Sequence, residues 1–316
     1  MNSSRYSTHL GLVGMAALWG ASWPWGRIVA QTMPPLAVAS LRFLLASAVL
    51  LLWLYCSGRM GALRTLHARQ WAGLSCASAV GVLGYSIFFL LALKSVPAGK
   101  AAMVVALNPV LTMLFAVVLF REAVNWIMTA GVSLAVMGAL YALSDGSLLA
   151  LQPGSSGTGE VLLLGCAACW VAYTLIGRMV LTTVDSLTTT TVTAAIGAVL
   201  LLLVSMTLEG PVAWCSLTAA PTVAWFSIVA LALGATVLAY AWYLNGVKVL
   251  GAGTAAAYMS LVPLFGLVFS GLWLGETLTA SLLVGGAMAI LGMLLMNLGR
   301  LRMVKFPAVA NDSYLK

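Results

Sequence analysis

A chain of 316 residues that is 62% hydrophobic and only 7% charged, with a mean hydropathy of +1.07, is no water-soluble domain, in which charged residues make up ~25%. Its net charge of +8 is dispersed among short polar intervals, which also argues against a nucleic-acid reader with one basic face. Apolar runs of about 20 residues recur throughout, enough to cross a ~30 Å hydrocarbon layer as helices, and they lack the alternation of barrel strands.

Ten transmembrane spans are predicted, at 10–29, 36–55, 71–93, 98–120, 125–143, 160–181, 186–208, 222–244, 253–274 and 279–298. The first follows Arg5, as a signal peptide would. It is interrupted by Trp23-Pro24-Trp25 and lacks a small-x-small cleavage site, so it reads as a mature helix. Spacing of i, i+3, i+4 puts Trp19, Ser22 and Trp23 on one face of it. Trp53, Trp71, Trp126, Trp214, Trp225 and Trp273 fall near membrane interfaces, the usual place for tryptophan, whereas Trp19 falls near the middle. Plain packing competes with cavity lining there, since an aromatic with a polar edge suits an amphipathic ligand.

Arg27 lies near the outer end of the first span, and Arg42 lies about 9 Å into the second. Such a charge either snorkels to the headgroups or turns inward, where it would meet a substrate carboxylate. The third span adds Tyr85. The fourth carries Asn108 and Pro109, and the proline cannot hydrogen-bond the carbonyl of Val105. In the fifth, Gly131, Ala135 and Ala139 form a small-residue ladder that lets backbones approach. Residues 144–159 are rich in Gly, Ser and Pro and read as a linker.

The sixth span repeats the face of the first with Trp170, Tyr173 and Thr174. Tyr240 and Tyr243 in the eighth and Tyr258 in the ninth extend the candidate lining. Pro263 repeats Pro109, so both are expected to kink their helices and free a carbonyl near the midplane. Gly285 and Ala289 begin a second ladder in the tenth span, which leaves a monomer and a homodimer through that helix both open. The basic tail from Arg300 is expected at the inner surface without a fold of its own.

These echoes are systematic. Lys94, Ala98-Gly99, Leu107, Pro109, Glu122 and Gly138 match Lys248, Ala252-Gly253, Leu261, Pro263, Glu276 and Gly292 at one constant shift. Trp19, Gly26 and Arg27 match Trp170, Gly177 and Arg178. With an odd number of spans in each copy, the second enters the membrane inverted, the architecture of alternating-access carriers. The expected units are 1–143 and 160–299, each a five-helix repeat, joined by 144–159 and followed by a cytoplasmic tail at 300–316. Lys and Arg crowd the loops on the side of both termini, which places those termini in the cytoplasm.

What is missing from the sequence narrows the chemistry. No Asp or Glu falls in mid-span; Glu122 and Glu276 are expected to serve the N-termini of the fifth and tenth helices. His9 and His67 fall at or beyond the inner edge, so no catalytic base is placed for hydrolysis. Cys166 and Cys169 have C-x-x-C spacing, but no second pair completes a metal site. No phosphate-cradling glycine loop ending in Lys-Ser/Thr occurs. No catalytic residue, metal or cofactor is assigned.

The segments Leu18–Ser22, Leu41–Ala46, Asn108-Pro109 down to Arg121-Glu122, and Pro263 through Leu274-Gly275-Glu276 resemble the EamA-type branch of the drug/metabolite transporter superfamily. Two positions depart from its pattern: Arg121 stands where a glycine is usual, and Val262 where a second asparagine could fall. The resemblance implies an all-helical fold of ten helices, a pseudo-twofold axis in the membrane plane, a central cavity, and export or exchange of small metabolites, often amino acids.

The leading expectation is a bacterial inner-membrane carrier of a small amphipathic, amino-acid-like solute. Its expected lining is Trp19, Ser22, Trp23, Arg42, Tyr85, Asn108, Trp170, Tyr173, Tyr240 and Tyr258, with kinks at Pro109 and Pro263. Its partners are a small-molecule substrate and the lipid bilayer, with no nucleic acid. A drug exporter and a non-transporting sensor or scaffold are the alternatives.

Overall fold

A computed structural model of the chain describes residues 2–120, 124–144, 146, 157–180 and 184–305. Arg121, Glu122 and most of the 144–159 linker lie outside the described residues. Among the described residues there are helices and turns and no strand.

The helices are α1 (Asn2–Thr32), α2 (Pro35–Cys56), α3 (Gly61–Arg64), α4 (Ala68–Ser78), α5 (Tyr85–Ser95), α6 (Ala98–Ala102), α7 (Leu107–Phe120) and α8 (Trp126–Leu143). After the linker come α9 (Thr158–Val180), α10 (Ser186–Leu208), α11 (Gly210–Ser216), α12 (Thr222–Val229), α13 (Ala239–Leu250), α14 (Ala252–Ala257), α15 (Val262–Leu274) and α16 (Ala280–Lys305). Among the described residues, eight helical stretches are long and apolar enough to cross a membrane, and they coincide with the expected second, third and fifth to tenth spans. The other two differ for visible reasons. In α1, Trp, Gly, Ser and Pro24 dilute the apolar run, and the fourth expected span is broken into α6, a 3₁₀ turn at Met103–Ala106, and α7.

Two membrane stretches contain π-helical segments, Ala79–Gly84 between α4 and α5 and Ala230–Leu238 between α12 and α13. Two others contain 3₁₀ turns, Met103–Ala106 ahead of α7 and Tyr258–Leu261 ahead of α15. Pro263 falls in the first turn of α15, where a proline costs nothing because that N–H has no helical acceptor. The backbone therefore breaks just before Pro263, and α7 likewise begins two residues ahead of Pro109.

Among the described residues, the most extensive helix–helix interface joins α8 to α16. A Cβ on Gly138 would fall 2.5 Å from the backbone of Ala289 and Gly285, and one on Gly285 would fall 2.5 Å from the carbonyl of Gly138. The two small-residue ladders thus face each other within one chain, the close approach that lipid-solvated helices need. Asn125 finishes this seam: its Oδ1 accepts from Met128 N at 2.9 Å, capping α8, and its Nδ2 donates to Gly299 O at 2.8 Å. Contrary to expectation, residues 300–305 are not a separate tail but continue α16. Elsewhere α2 packs on α10, while α1 runs centrally against α15, α13 and α5, and α9 against α5, α4 and α7.

Carboxylates staple the helix ends. Glu209 accepts from Leu36 N and Ala37 N at 2.9 and 2.8 Å, capping α2, and Asp185 accepts from Leu187 N and Thr188 N, capping α10. Glu276 overturns the sequence expectation. Gly275 ends α15 at φ 64°, a left-handed turn that suits glycine, and Glu276 then reaches the backbone of Ala98 and Gly99 at 2.8 and 2.9 Å. It caps α6, while Thr279 Oγ1 accepts from Leu282 N in the first turn of α16.

Candidate binding cavity

A cavity of about 100 Å³ lies where α1, α2, α9, α10 and both π segments meet. The structure brings together there Trp19, Ser22, Trp23, Arg42, Tyr85, Asn108, Trp170, Tyr173 and Tyr240, but not Tyr243 or Tyr258. Tyr243 packs against Trp19 instead, with ring centroids 5.6 Å apart. Tyr258 is the other exception. It opens the 3₁₀ turn ahead of α15, where each residue advances ~120° rather than ~100°, and Met259 and Val262 take the lining positions. Its hydroxyl pairs instead with His9 Nδ1 at 2.6 Å, tying the start of α1 to this turn.

The aromatic wall joins the first helix to the sixth. Trp19 meets Trp170 edge-on at 6.2 Å between centroids and Tyr240 at 5.4 Å; Trp170 also touches Tyr85 and Tyr173. Tilted and edge-on pairs of this kind are the favoured geometry for aromatic rings. Each indole N–H still needs an acceptor, and Trp19 Nε1 finds the carbonyl of Ala235 at 2.9 Å, in the second π segment. A π turn frees main-chain groups that a regular helix would use, so the distortion and the Trp19 contact explain one another.

Arg42 does not snorkel; its side chain lines the cavity. Nη2 donates to Thr236 Oγ1 at 3.2 Å, and the guanidinium carbon lies 4.9 Å from the Phe43 ring centroid. Thr236 is itself held by a bond from its hydroxyl to Leu231 O at 3.0 Å, five residues back, the reach of the π turn. Arg42 Nε is buried with no hydrogen-bond partner, as is Asn108 Oδ1. Among the described residues, no Asp or Glu lines the cavity. A buried guanidinium without an anionic neighbour is costly unless something anionic comes to it.

Sequence reasoning missed Gly81, Val82, Thr190, Thr193 and Thr236. The threonines left a signal: Thr188–Thr191 is a polar run inside an apolar span, and all four are buried. The glycine left a weaker one. Its place in a π turn with Tyr173 against it cannot be read from a helical period. Among the described residues no group of His, Cys, Asp and Glu could hold a metal.

Fold and cavity together define an all-helical membrane protein with a cationic and aromatic site between its helices. The chain belongs to the EamA-like transporter family, which it matches over residues 7–144 and again over 157–298. It is 28% identical to an uncharacterized transporter, YyaM, of Bacillus subtilis, over 90% of this chain and 91% of that one. It is 27% identical to a probable terminal-alkyne amino-acid exporter of Streptantibioticus cattleyicolor, covering 94% and 96% of the two chains. The inner-membrane transporter YedA of Escherichia coli K12 is 26% identical, over 95% of this chain and 93% of its own. A solved crystal structure shares the fold at a TM-score of 0.61 and 22% identity, covering 94% of this chain and 99% of its own.

Proposed function

We propose that this chain is a secondary carrier that exports or exchanges a small amphipathic solute bearing a carboxylate, of amino-acid type. The observation that carries the reading is Arg42: a charge turned into a membrane cavity whose lining holds no Asp or Glu, with Nε buried and unpaired. A carboxylate would complete it, the Asn108 amide supplies a second polar contact, and the Trp19, Trp170, Tyr85 and Tyr240 rings take the apolar part. A cavity near 100 Å³ favours a metabolite over a drug, since drug-sized sites run ~300–1,000 Å³. The relative named as an amino-acid exporter agrees with this cargo class.

The proposed mechanism is alternating access between two inverted five-helix halves, 1–143 and 160–299, in ten membrane helices. Three observations support it. The family matches twice, once in each half. π segments and 3₁₀ turns fall at matching places in both. Helix pairs also exchange as a twofold requires: α1 with α13 answers α9 with α5, and α1 with α15 answers α9 with α7. Loop charge supports cytoplasmic termini, and the kinship with YedA suits a bacterial inner membrane. With the α8–α16 ladders spent inside the chain, a homodimer through the last helix would use its opposite face, where Leu283, Leu291 and Leu298 are exposed.

The test is binding and counterflow in liposomes with a panel of amino acids, their amides and their decarboxylated amines. Saturable exchange that requires the carboxylate supports the reading, and equal transport of the amines defeats it. The absence of saturable flux for any solute would favour the sensor or scaffold.

A further inference from the structure

We infer that Arg27 and Glu276 form a latch that shuts one mouth of the cavity and must part in every transport cycle. The inference rests on the carrier reading above and adds to it the place where the protein opens.

Two ladders lead from the cavity to the latch. In α1, Trp19, Trp23 and Arg27 follow one another at i, i+4, i+8, and in α5, Tyr85, Phe89 and Leu93 do the same. The first rungs line the cavity. The second rungs close it: the Trp23 and Phe89 rings meet at 5.0 Å, and the two side chains are 3% and 2% exposed. A Cβ on Gly26 would strike the Phe89 ring, so α1 and α5 are as close here as side chains permit.

The third rungs are the latch. Arg27 Nη1 donates to the carbonyl of Leu93 at 3.2 Å and to that of Val96, holding the end of α5 and the turn into α6. Its Nε pairs with Glu276 Oε1 at 3.2 Å, and the two carboxylate oxygens hold the N–H groups of Ala98 and Gly99. One arginine and one glutamate therefore join α1, the α5–α6 hairpin tip and the segment after α15.

The chemistry suits repeated opening. Every group tied here is a terminal carbonyl, a terminal N–H or a side-chain charge, and each is one that water can satisfy when the mouth opens. Arg27 and Glu276 are already 19% and 15% exposed, so water has a path to the charges as the mouth parts. Opening this mouth without parting the latch would leave the α5–α6 tip fixed to both α1 and the end of α15, which are the walls that have to separate.

The first experiment reads access rather than cargo. In a variant lacking the five native cysteines and carrying Ser22→Cys in the cavity, a membrane-impermeant maleimide is applied from the side that Arg27 faces. Glu276→Gln, with Arg27→Gln as the alternative should that variant not fold, is expected to raise labelling at least fivefold. Unchanged labelling in a folded variant overturns the latch.

The second experiment closes the mouth. A Cβ on Gly99 would lie 3.5 Å from Ser270 Cβ, within disulfide range. The pair Gly99→Cys with Ser270→Cys should lose counterflow of a carboxylate-bearing amino acid when oxidised and regain it on reduction. Full flux through the crosslinked protein also overturns the latch. No flux in the reduced pair and in the parent protein alike would count against the carrier reading, while the labelling result still decides the latch.

Discussion

The α8–α16 seam and the cavity wall use glycine and helix geometry in opposite ways. Along the seam, two regular helices approach until Gly138 and Gly285 touch the opposite backbone. Around the cavity, the helices are interrupted by π and 3₁₀ turns, and buried polar atoms such as Arg42 Nε and Asn108 Oδ1 are left without partners. Regular helices satisfy their own backbones and give the seam its strength; at the cavity, broken helices release main-chain groups that meet side chains such as Trp19 and Arg42 from regular ones. Stability and recognition are carried by different helices.

The strongest attempt to break that division is a large residue in the seam. Gly138→Leu is expected to cost upwards of ~3 kcal/mol and to abolish a monodisperse peak in gel filtration. Gly177→Ala, at a helical glycine with open space beside it, should be neutral or raise the melting temperature.

Next comes Arg42→Met. Replacing an uncompensated buried charge with an apolar chain should leave the melting temperature unchanged or higher, while solute binding falls roughly 10–100-fold, the ~1.5–3 kcal/mol of a charged hydrogen bond. A thermal melt and isothermal titration with a carboxylate solute and its amide check the two halves: a lower melting temperature with unchanged affinity would make Arg42 part of the scaffold.

A smaller effect is expected from Trp19→Phe. It strands the Ala235 carbonyl and should weaken binding by about 1 kcal/mol, roughly fivefold, with little change in abundance. Tyr258→Phe should barely change affinity, because its hydroxyl serves His9 outside the cavity.

The smallest expected effect concerns driving force. With no Asp or Glu lining the cavity, liposome flux should follow the solute gradient and change little when only a pH gradient is imposed. Uphill movement driven by pH alone would place a proton carrier elsewhere in the chain.

Much of this was legible in the residues. The Ser186–Leu208 helix matches its expected range because Asp185 caps it and no proline interrupts it. The Trp19–Ser22–Trp23 face pointed to the cavity because α1 is helical throughout, so its period holds. Where the period fails, so did the reading: Tyr258 opens a 3₁₀ turn, and the π turns that set Thr236 beneath Arg42 follow from packing with no residue code of their own. Sequence proximity assigns Glu276 to the helix that follows it, but the turn at Gly275 aims it at α6, a partner distant along the chain. A carboxylate beside a left-handed glycine is the pattern that could have warned of it.

The seam also sets an order of events at the ribosome. α8 leaves the exit tunnel long before α16 exists, and residues 144–279 must be made in between, on the order of ten seconds at ~5–20 residues per second. Through that interval the glycine stripe of α8 faces lipid or a chaperone, since its partner has not been translated. The last helix therefore acts as the closing piece of biogenesis, and quality-control proteases would find an unfinished chain by the groove it leaves open.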